Sequence, residues 1–340
     1  PGYDPNELSI SRSRGEAFNK LQSDTLKPLF DRSVMAMYPP GSIFKPLLAE
    51  VAMQEGILNE DRTIYCGGAY YSGGLKRGCH NHPTPHNVSE AIAYSCNTYF
   101  FTVYKEVIDK AGYTRPEIGL RQLNEYLTEF GLGHKIGLDV PGEKAGNLPG
   151  PEYFDQVYPA GRWRSPYILS MGIGQGELQL TTLQMAHAAA VIANEGTYTD
   201  PHLLKARVPA GKAPKPEFYP RRRVGIDYRY FEPVIEGMSG AVRGGTATLA
   251  YIPDIEVCGK TGTSENPHGE DHSVFFGFAP RDQPKIAIAV YIENAGWGGS
   301  FATPVAGLMI EKYLKGEISE GRKALETKML EADIIHKPKS

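Results

Sequence analysis

The sequence predicts an α+β protein: a long helix-rich stretch, then a small antiparallel sheet, then a closing helix. Three observations carry that prediction. Apolar residues recur at helical spacing in successive blocks between residues 47 and 242. Three strand-like runs (Ile255 to Thr261, Ser273 to Ala279, Ile286 to Ile292) follow one another across turn-forming segments, and sequential runs of this kind are expected to pair antiparallel. Residues 304–314 then read as a helix able to cover one face of the sheet.

Composition sets the bounds. With 340 residues, 41% hydrophobic and 22% charged, the chain is ordinary globular material, enough for one large core or two smaller ones. A formal net charge of -3 leaves no basic footprint, which excludes nucleic-acid binding. No run approaches the roughly 18 uncharged apolar residues that a membrane span needs. The opening Pro1-Gly2-Tyr3-Asp4-Pro5-Asn6 has no initiator Met, charged region or apolar region, so it reads as the inside of a longer protein whose anchor or targeting segment has been removed.

In chain order, residues 1–37 offer short helical or loop structure around Leu21, Leu26, Leu29 and Phe30. Tyr38-Pro39-Pro40-Gly41-Ser42 is a tight turn, with Ser42 as the first residue of a helix stopped near Gly56. Residues 65–87 form a Gly-, His- and Tyr-rich excursion. Helical spacing resumes at Asn87-Val88-Ser89-Glu90, and Ser95-Cys96-Asn97 falls in its middle; Ser and Asn are poor mid-helix residues, so a helix junction facing a cavity is expected there. A further helix runs from Glu117 to Phe130. Ser170-Met171-Gly172-Ile173-Gly174-Gln175-Gly176 lacks the strand and later acid of a dinucleotide site and reads as a loop leading into a helix. Residues 205–223, ending Arg221-Arg222-Arg223, read as a solvated loop, and Phe231 to Val242 as a helix broken by Gly244-Gly245. A helical stretch from Ser319 precedes an unstructured Lys337-Pro338-Lys339-Ser340.

The chemistry starts at Ser42. Lys45 lies three residues on, about one turn along the same face, with roughly 5–6 Å between the Cβ atoms. A serine hydroxyl needs a base, and lysine serves only if its pKa falls; burial and the positive end of a helix dipole both push it down. Ser95 and Asn97 supply a second polar pair. Lys260-Thr261-Gly262-Thr263 closes a strand and offers a cation, hydroxyls and a closely approached backbone to a ligand carboxylate.

Together, Ser42-x-x-Lys45, Ser95-x-Asn97 and Lys260-Thr261-Gly262 resemble the motif set of penicillin-binding proteins and class A β-lactamases. The flanks Tyr38 to Ser42, Asn97-Thr98-Tyr99-Phe100 and Gly259 to Thr263, with Tyr3-Asp4-Pro5-Asn6, Gly172 to Gly176 and Phe276-Gly277-Phe278-Ala279-Pro280, are similar to the transpeptidase domain of class B penicillin-binding proteins, above all the elongation-type penicillin-binding protein 2. The resemblance spans nearly the whole chain. It implies the penicillin-binding/β-lactamase-like transpeptidase fold, an antiparallel sheet flanked by helices plus an all-helical subdomain. The whole of 1–340 is then one transpeptidase domain, with the helical subdomain at roughly 47–240, including the excursion 65–87, and the sheet part at roughly 1–46 and 241–318.

The same resemblance implies the roles. Ser42 would be the acyl nucleophile and Lys45 its base. Ser95 would shuttle protons among Lys45, Lys260 and the leaving amine, and Asn97 would hold the donor backbone. Lys260 and Thr261 would bind the terminal carboxylate, Thr261, Gly262 and Thr263 would form the substrate-binding strand, and the N–H groups of Ser42 and Thr263 would form an oxyanion hole. Implied partners are peptidoglycan stem peptides, β-lactam antibiotics and a membrane glycosyltransferase of the elongation machinery. The implied location is the periplasmic face of the bacterial inner membrane. A serine β-lactamase or a β-lactam sensor shares the motifs; the former needs a group that activates water, and no Glu in a helical Glu-x-x-x-Asn stands out.

Three of the four cysteines, Cys66, Cys79 and Cys96, crowd near His80, His82 and His86. Three Cys and one His make a closed tetrahedral zinc shell, and Cys96 would tie it to the Ser95/Asn97 motif. Cys66, Cys79, His82 and Cys96 are the expected ligands of a structural zinc, His82 rather than His80 because His80 directly follows Cys79. A Cys66–Cys79 disulfide, or free thiols, are the alternatives.

Overall fold

The computed structural model describes residues 2–10, 12–72, 74–159, 161–211 and 213–335; the expectation for 337–340 lies outside them. Helices and strands alternate unevenly. After α1 (Arg14–Ser23) and α2 (Arg32–Met35) come α3 (Lys45–Gln54), the hairpin β1 (Ala69–Ser72) and β2 (Leu75–Gly78), α4 (Val88–Ala93), α5 (Asn97–Ile108), α6 (Pro116–Glu129), α7 (Pro151–Val157) and α8 (Thr182–Ala193). Four short strands follow, β3 (Thr197–Thr199), β4 (Ala206–Arg207), β5 (Lys215–Pro216) and β6 (Arg221–Arg223), then α9 (Phe231–Arg243), the sheet β7 (Cys258–Ser264), β8 (His272–Ala279) and β9 (Ile286–Ile292), and finally α10 (Ala302–Lys315) and α11 (Lys323–Leu330).

The main sheet has the order β7-β8-β9, antiparallel throughout, with Lys260 opposite Phe276 and Phe276 opposite Ala289. Alternate side chains of β8 enter different cores, as the two-residue strand period requires. Val274, Phe276 and Phe278 join a large core with α3, α5 and α8, whereas Phe275 and Ala279 join a smaller one with Ala302, Ala306 and Ile310 of α10. The sheet is thus covered on both faces. α8 lies inside the 47–240 stretch and α9 crosses its end; α8 packs on β8 and β9, α9 on β7, and the larger core takes residues from these helices and from the sheet.

Three local expectations are corrected. Ser42 sits in a single 3-10 turn, Gly41–Phe44, and the α-helix begins at Lys45 with Pro46 in its first turn, where the missing N–H costs nothing. Residues 165–173 are 3-10 helix rather than loop, closed by Gly174 at φ 73°. Within 205–223, β4 pairs with β5, and β6 pairs with β3 upstream, two short ribbons that the Lys and Arg content concealed because both are exposed.

Candidate active site

The turn that carries Ser42 is pressed against β7. Gly41 adopts φ +61°, and a Cβ there would lie 2.6 Å from the Thr263 carbonyl oxygen; a Cβ on Gly262 would lie 2.7 Å from the Pro40 carbonyl oxygen. Only glycine allows that approach from both sides. The Gly41 N–H donates to the Gly174 carbonyl at 2.8 Å, which fastens the turn to the end of the 165–173 helix.

Lys45 is fully buried. Its Nζ donates to the Ser95 carbonyl at 2.7 Å, to Asn97 Oδ1 at 2.7 Å and to Ser95 Oγ at 3.2 Å. Burial pushes its pKa down to about 8, against a smaller upward pull from the Cys79 and Cys96 sulfurs. Ser95 occupies the junction between α4 and α5 at φ 59°, a left-handed conformation uncommon outside glycine. That kink turns the chain so that Ser95 and Asn97 both meet the lysine.

Lys260 is also fully buried, on β7, with Nζ donating to the Thr261 carbonyl at 3.0 Å. Burial, and then the Lys45 charge, hold its pKa well below the usual lysine range. The Thr261 hydroxyl donates to Thr246 Oγ1 at 2.8 Å. Gln175 Nε2 donates to the Thr263 carbonyl at 2.8 Å, and the Gly298 N–H to Thr263 Oγ1 at 3.1 Å.

Ser42, Ser95, Asn97, Thr261 and Thr263 line one cavity of about 160 Å³. So the structure brings together the three motifs, more than 200 residues apart in sequence at their extremes. It adds His80, Gln175, Thr246, Glu265, Asp271 and Trp297, none of which the motif reading had placed there. Gln175 and Trp297 carried a signal: each is flanked by glycines, and the chain has 2 tryptophans in all.

Beside the cavity, the ligand atoms of Cys66, Cys79, His82 and Cys96 all lie within 4.8 Å of one another. All four cysteines of the chain are free thiols, so no Cys66–Cys79 bond forms. His80 goes elsewhere, donating from Nε2 to the Tyr94 carbonyl at 2.6 Å. His82 Nδ1 donates to the Pro83 carbonyl at 2.6 Å, and its Nε2 is in hydrogen-bond contact with Cys79 Sγ at 3.2 Å. The donor set fits a metal ion that favours sulfur and imidazole. The cluster also touches the catalytic wall: the Asn97 N–H donates to Cys79 Sγ at 3.1 Å, and Asn97 Nδ2 to the Gly78 carbonyl at 3.1 Å.

A cleft with a serine turn and buried lysine on one side and a Lys-Thr-Gly strand on the other defines a serine acyl-transfer protein. Residues 3–311 match the penicillin binding protein transpeptidase domain, and the chain belongs to that family. It is 31% identical over 324 residues to peptidoglycan D,D-transpeptidase MrdA of Acinetobacter baumannii, covering 89% of this chain and 46% of the relative. It is 29% identical over 338 residues to the Escherichia coli K12 protein of the same name, covering 92% and 50%. The chain therefore spans about half the length of these relatives. The crystal structure of Pseudomonas aeruginosa PBP2 in complex with WCK 5153 is similar with a TM-score of 0.74 and 30% identity, covering 94% of this chain and 69% of that one.

Proposed function

We propose that the chain is the catalytic portion of an elongation-type peptidoglycan D,D-transpeptidase that works through an acyl-enzyme on Ser42 and is inhibited by β-lactams. One observation carries the reading: a fully buried Lys45, lowered to about 8, with Ser95 Oγ at 3.2 Å, in a cleft whose other wall is Lys260-Thr261-Gly262-Thr263.

In this mechanism neutral Lys45 takes the Ser42 proton as Oγ attacks the carbonyl of the penultimate D-alanine. Thr261, with Lys260 and Gly262 beside it, holds the terminal carboxylate, and Asn97 holds the donor backbone. The N–H groups of Ser42 and Thr263 stabilise the tetrahedral oxyanion; each such donor contributes about 2.7–4 kcal/mol in comparable sites. The C–N bond to the terminal D-alanine breaks, and the Lys45 proton reaches the departing amine through Ser95. An amine of a neighbouring stem peptide then attacks the ester and returns its proton along the same route, which frees Ser42.

Cys66, Cys79, His82 and Cys96 would hold a structural zinc; its contribution is to cross-link the excursion to the start of α5. Relatives named peptidoglycan D,D-transpeptidase support peptidoglycan stem peptides as the substrate class. A structural relative titled as a peptidoglycan synthase complex coordinating polymerization and crosslinking supports a membrane glycosyltransferase as partner. The same reading fits a periplasmic, membrane-anchored location.

Mass spectrometry after incubation with benzylpenicillin tests the reading. A stable adduct on Ser42, absent in Ser42→Ala, is expected. Rapid turnover without an adduct would instead mark a β-lactamase, and an adduct without cross-linking of stem peptides a sensor.

A further inference from the structure

Three of the four donor atoms beside the cleft are sulfurs, and sulfurs held this close have a chemistry besides metal binding. Cys66, Cys79 and Cys96 are free thiols whose sulfurs lie within 4.8 Å of one another. A disulfide holds its sulfurs about 2.05 Å apart, so a shift of less than about 3 Å joins two of them. The three are not equivalent. Cys66 Sγ donates to Thr98 Oγ1 at 3.3 Å. Cys79, just past the hairpin and partly exposed, has the Asn97 N–H at 3.1 Å and His82 Nε2 at 3.2 Å against its sulfur, and it hydrogen-bonds the Cys96 side chain. Cys96 is fully buried. Cys79 is therefore the sulfur that a small oxidant meets among polar partners, and Cys96 the thiol placed to close on it.

Position decides what such a bond disturbs. Cys96 stands between Ser95, whose carbonyl accepts from Lys45 Nζ at 2.7 Å, and Asn97, whose Oδ1 accepts from the same atom at 2.7 Å. Asn97 is anchored in turn on the hairpin end, through Cys79 Sγ and the Gly78 carbonyl. We propose that Cys79 and Cys96 are a redox modification site, at which hydrogen peroxide joins them as a disulfide, empties the metal site and draws Asn97 away from Lys45. This deepens the transpeptidase and zinc readings above and rests on both. The Cys79 thiol attacks the O–O bond, which leaves a sulfenic acid on Cys79 and releases water; the Cys96 thiol then attacks that sulfur, and the S–S bond forms as a second water leaves. The two sulfurs give up two electrons, the peroxide takes them, and the two thiol protons depart in the waters. A disulfide sulfur is a poor ligand and a poor acceptor beside a thiolate, so the ion and the Asn97 N–H lose their partner together.

The test treats the unaltered, zinc-loaded chain with hydrogen peroxide and follows three readouts: zinc release to a chromogenic chelator, the rate of acylation by penicillin, and peptide masses without reduction. Trypsin cuts after Arg62, Lys76, Arg77 and Lys105, so a Cys79–Cys96 bond is a loss of two hydrogens within peptide 78–105, whereas a bond to Cys66 is a cross-link to peptide 63–76. The internal bond is expected to form in step with zinc release, and acylation to slow by about tenfold, the loss typical when contacts supporting a metal site go. Dithiothreitol followed by zinc should restore all three. Cys66→Ser, which gives up a ligand but keeps the pair, should still form the bond. Zinc release without that bond, a bond to Cys66 in its place, acylation within twofold once the bond has formed, or no recovery on reduction would each overturn the proposal. A chain that takes up no zinc would remove the zinc reading, and one that penicillin fails to acylate before oxidation would remove the transpeptidase reading.

Discussion

The two walls of the cleft are built by different physics. On the sheet side, β7 is paired along its length with β8, six of its seven residues are buried, and the Ser42 turn is seated on it by glycines that leave no room for a Cβ. On the other side, the excursion offers a hairpin of two four-residue strands, half of its residues exposed, and its links to the α4–α5 junction run through sulfur and side-chain contacts. A backbone ladder and steric contact tolerate little displacement. A polar, ligand-built wall moves more easily, because few buried apolar contacts resist it. Changes to the sheet wall should therefore damage the chemistry outright, whereas changes to the excursion should act by degrees.

The largest effect is expected at the seat. Gly41→Ala forces a side chain into φ +61° and 2.6 Å from the Thr263 carbonyl, so the Ser42 turn must withdraw from β7. A misplacement of about 1 Å in an acyl-transfer site costs on the order of 100-fold. Stopped-flow acylation by a chromogenic β-lactam reads this directly; a rate within threefold of the unaltered chain would mean that the two walls are equally pliant. Next comes pH. In the proposed mechanism Lys45 accepts the Ser42 proton only when neutral, and burial pushes its pKa down to about 8, so acylation should rise roughly tenfold per unit below that value and level off above it. A profile flat from about pH 6 to 9 would remove Lys45 as the base.

How much of this was visible in the chain follows the same division. The strands Ile255 to Thr261 and Ser273 to Ala279 were legible because apolar β-branched and aromatic runs bounded by turns have few other uses; the observed bounds, Cys258–Ser264 and His272–Ala279, shift by at most three residues. Ser42, Lys45, Ser95, Asn97 and Lys260 were legible through the family resemblance of the three motifs taken together, each being weak alone, and the polar interruption at Ser95 and Asn97 marked the junction where the chain turns at φ 59°. The hairpin inside 65–87 was hidden by its glycines and polar residues, which report turns more strongly than pairing. His80 and Trp297 were not legible as a pair, because nothing local encodes a contact made across 217 residues by two loops.

The smaller effects lie on the excursion and separate the proposed metal site from the shape of the segment. Cys79→Ser removes one ligand and the sulfur that accepts the Asn97 N–H, so zinc content should fall to near zero and acylation by about tenfold, with a melting temperature lower by several degrees. Full zinc retention and an unchanged rate would show that the cluster is incidental to Asn97. Thr98→Val is gentler. Cys66 Sγ donates to Thr98 Oγ1 at 3.3 Å; a Cys66 thiolate holding a metal would instead accept from that hydroxyl. Valine keeps the buried volume and loses that donor, so zinc affinity measured against a competing chelator should weaken by about tenfold, the lower end of the range for outer-shell contacts. At saturating zinc the acylation rate should stay within twofold, because Asn97 keeps Cys79 and Gly78 as partners. If acylation falls even with zinc bound, the excursion steers the catalytic wall through packing of its own, and the contrast between a steric wall and a ligand-built wall narrows.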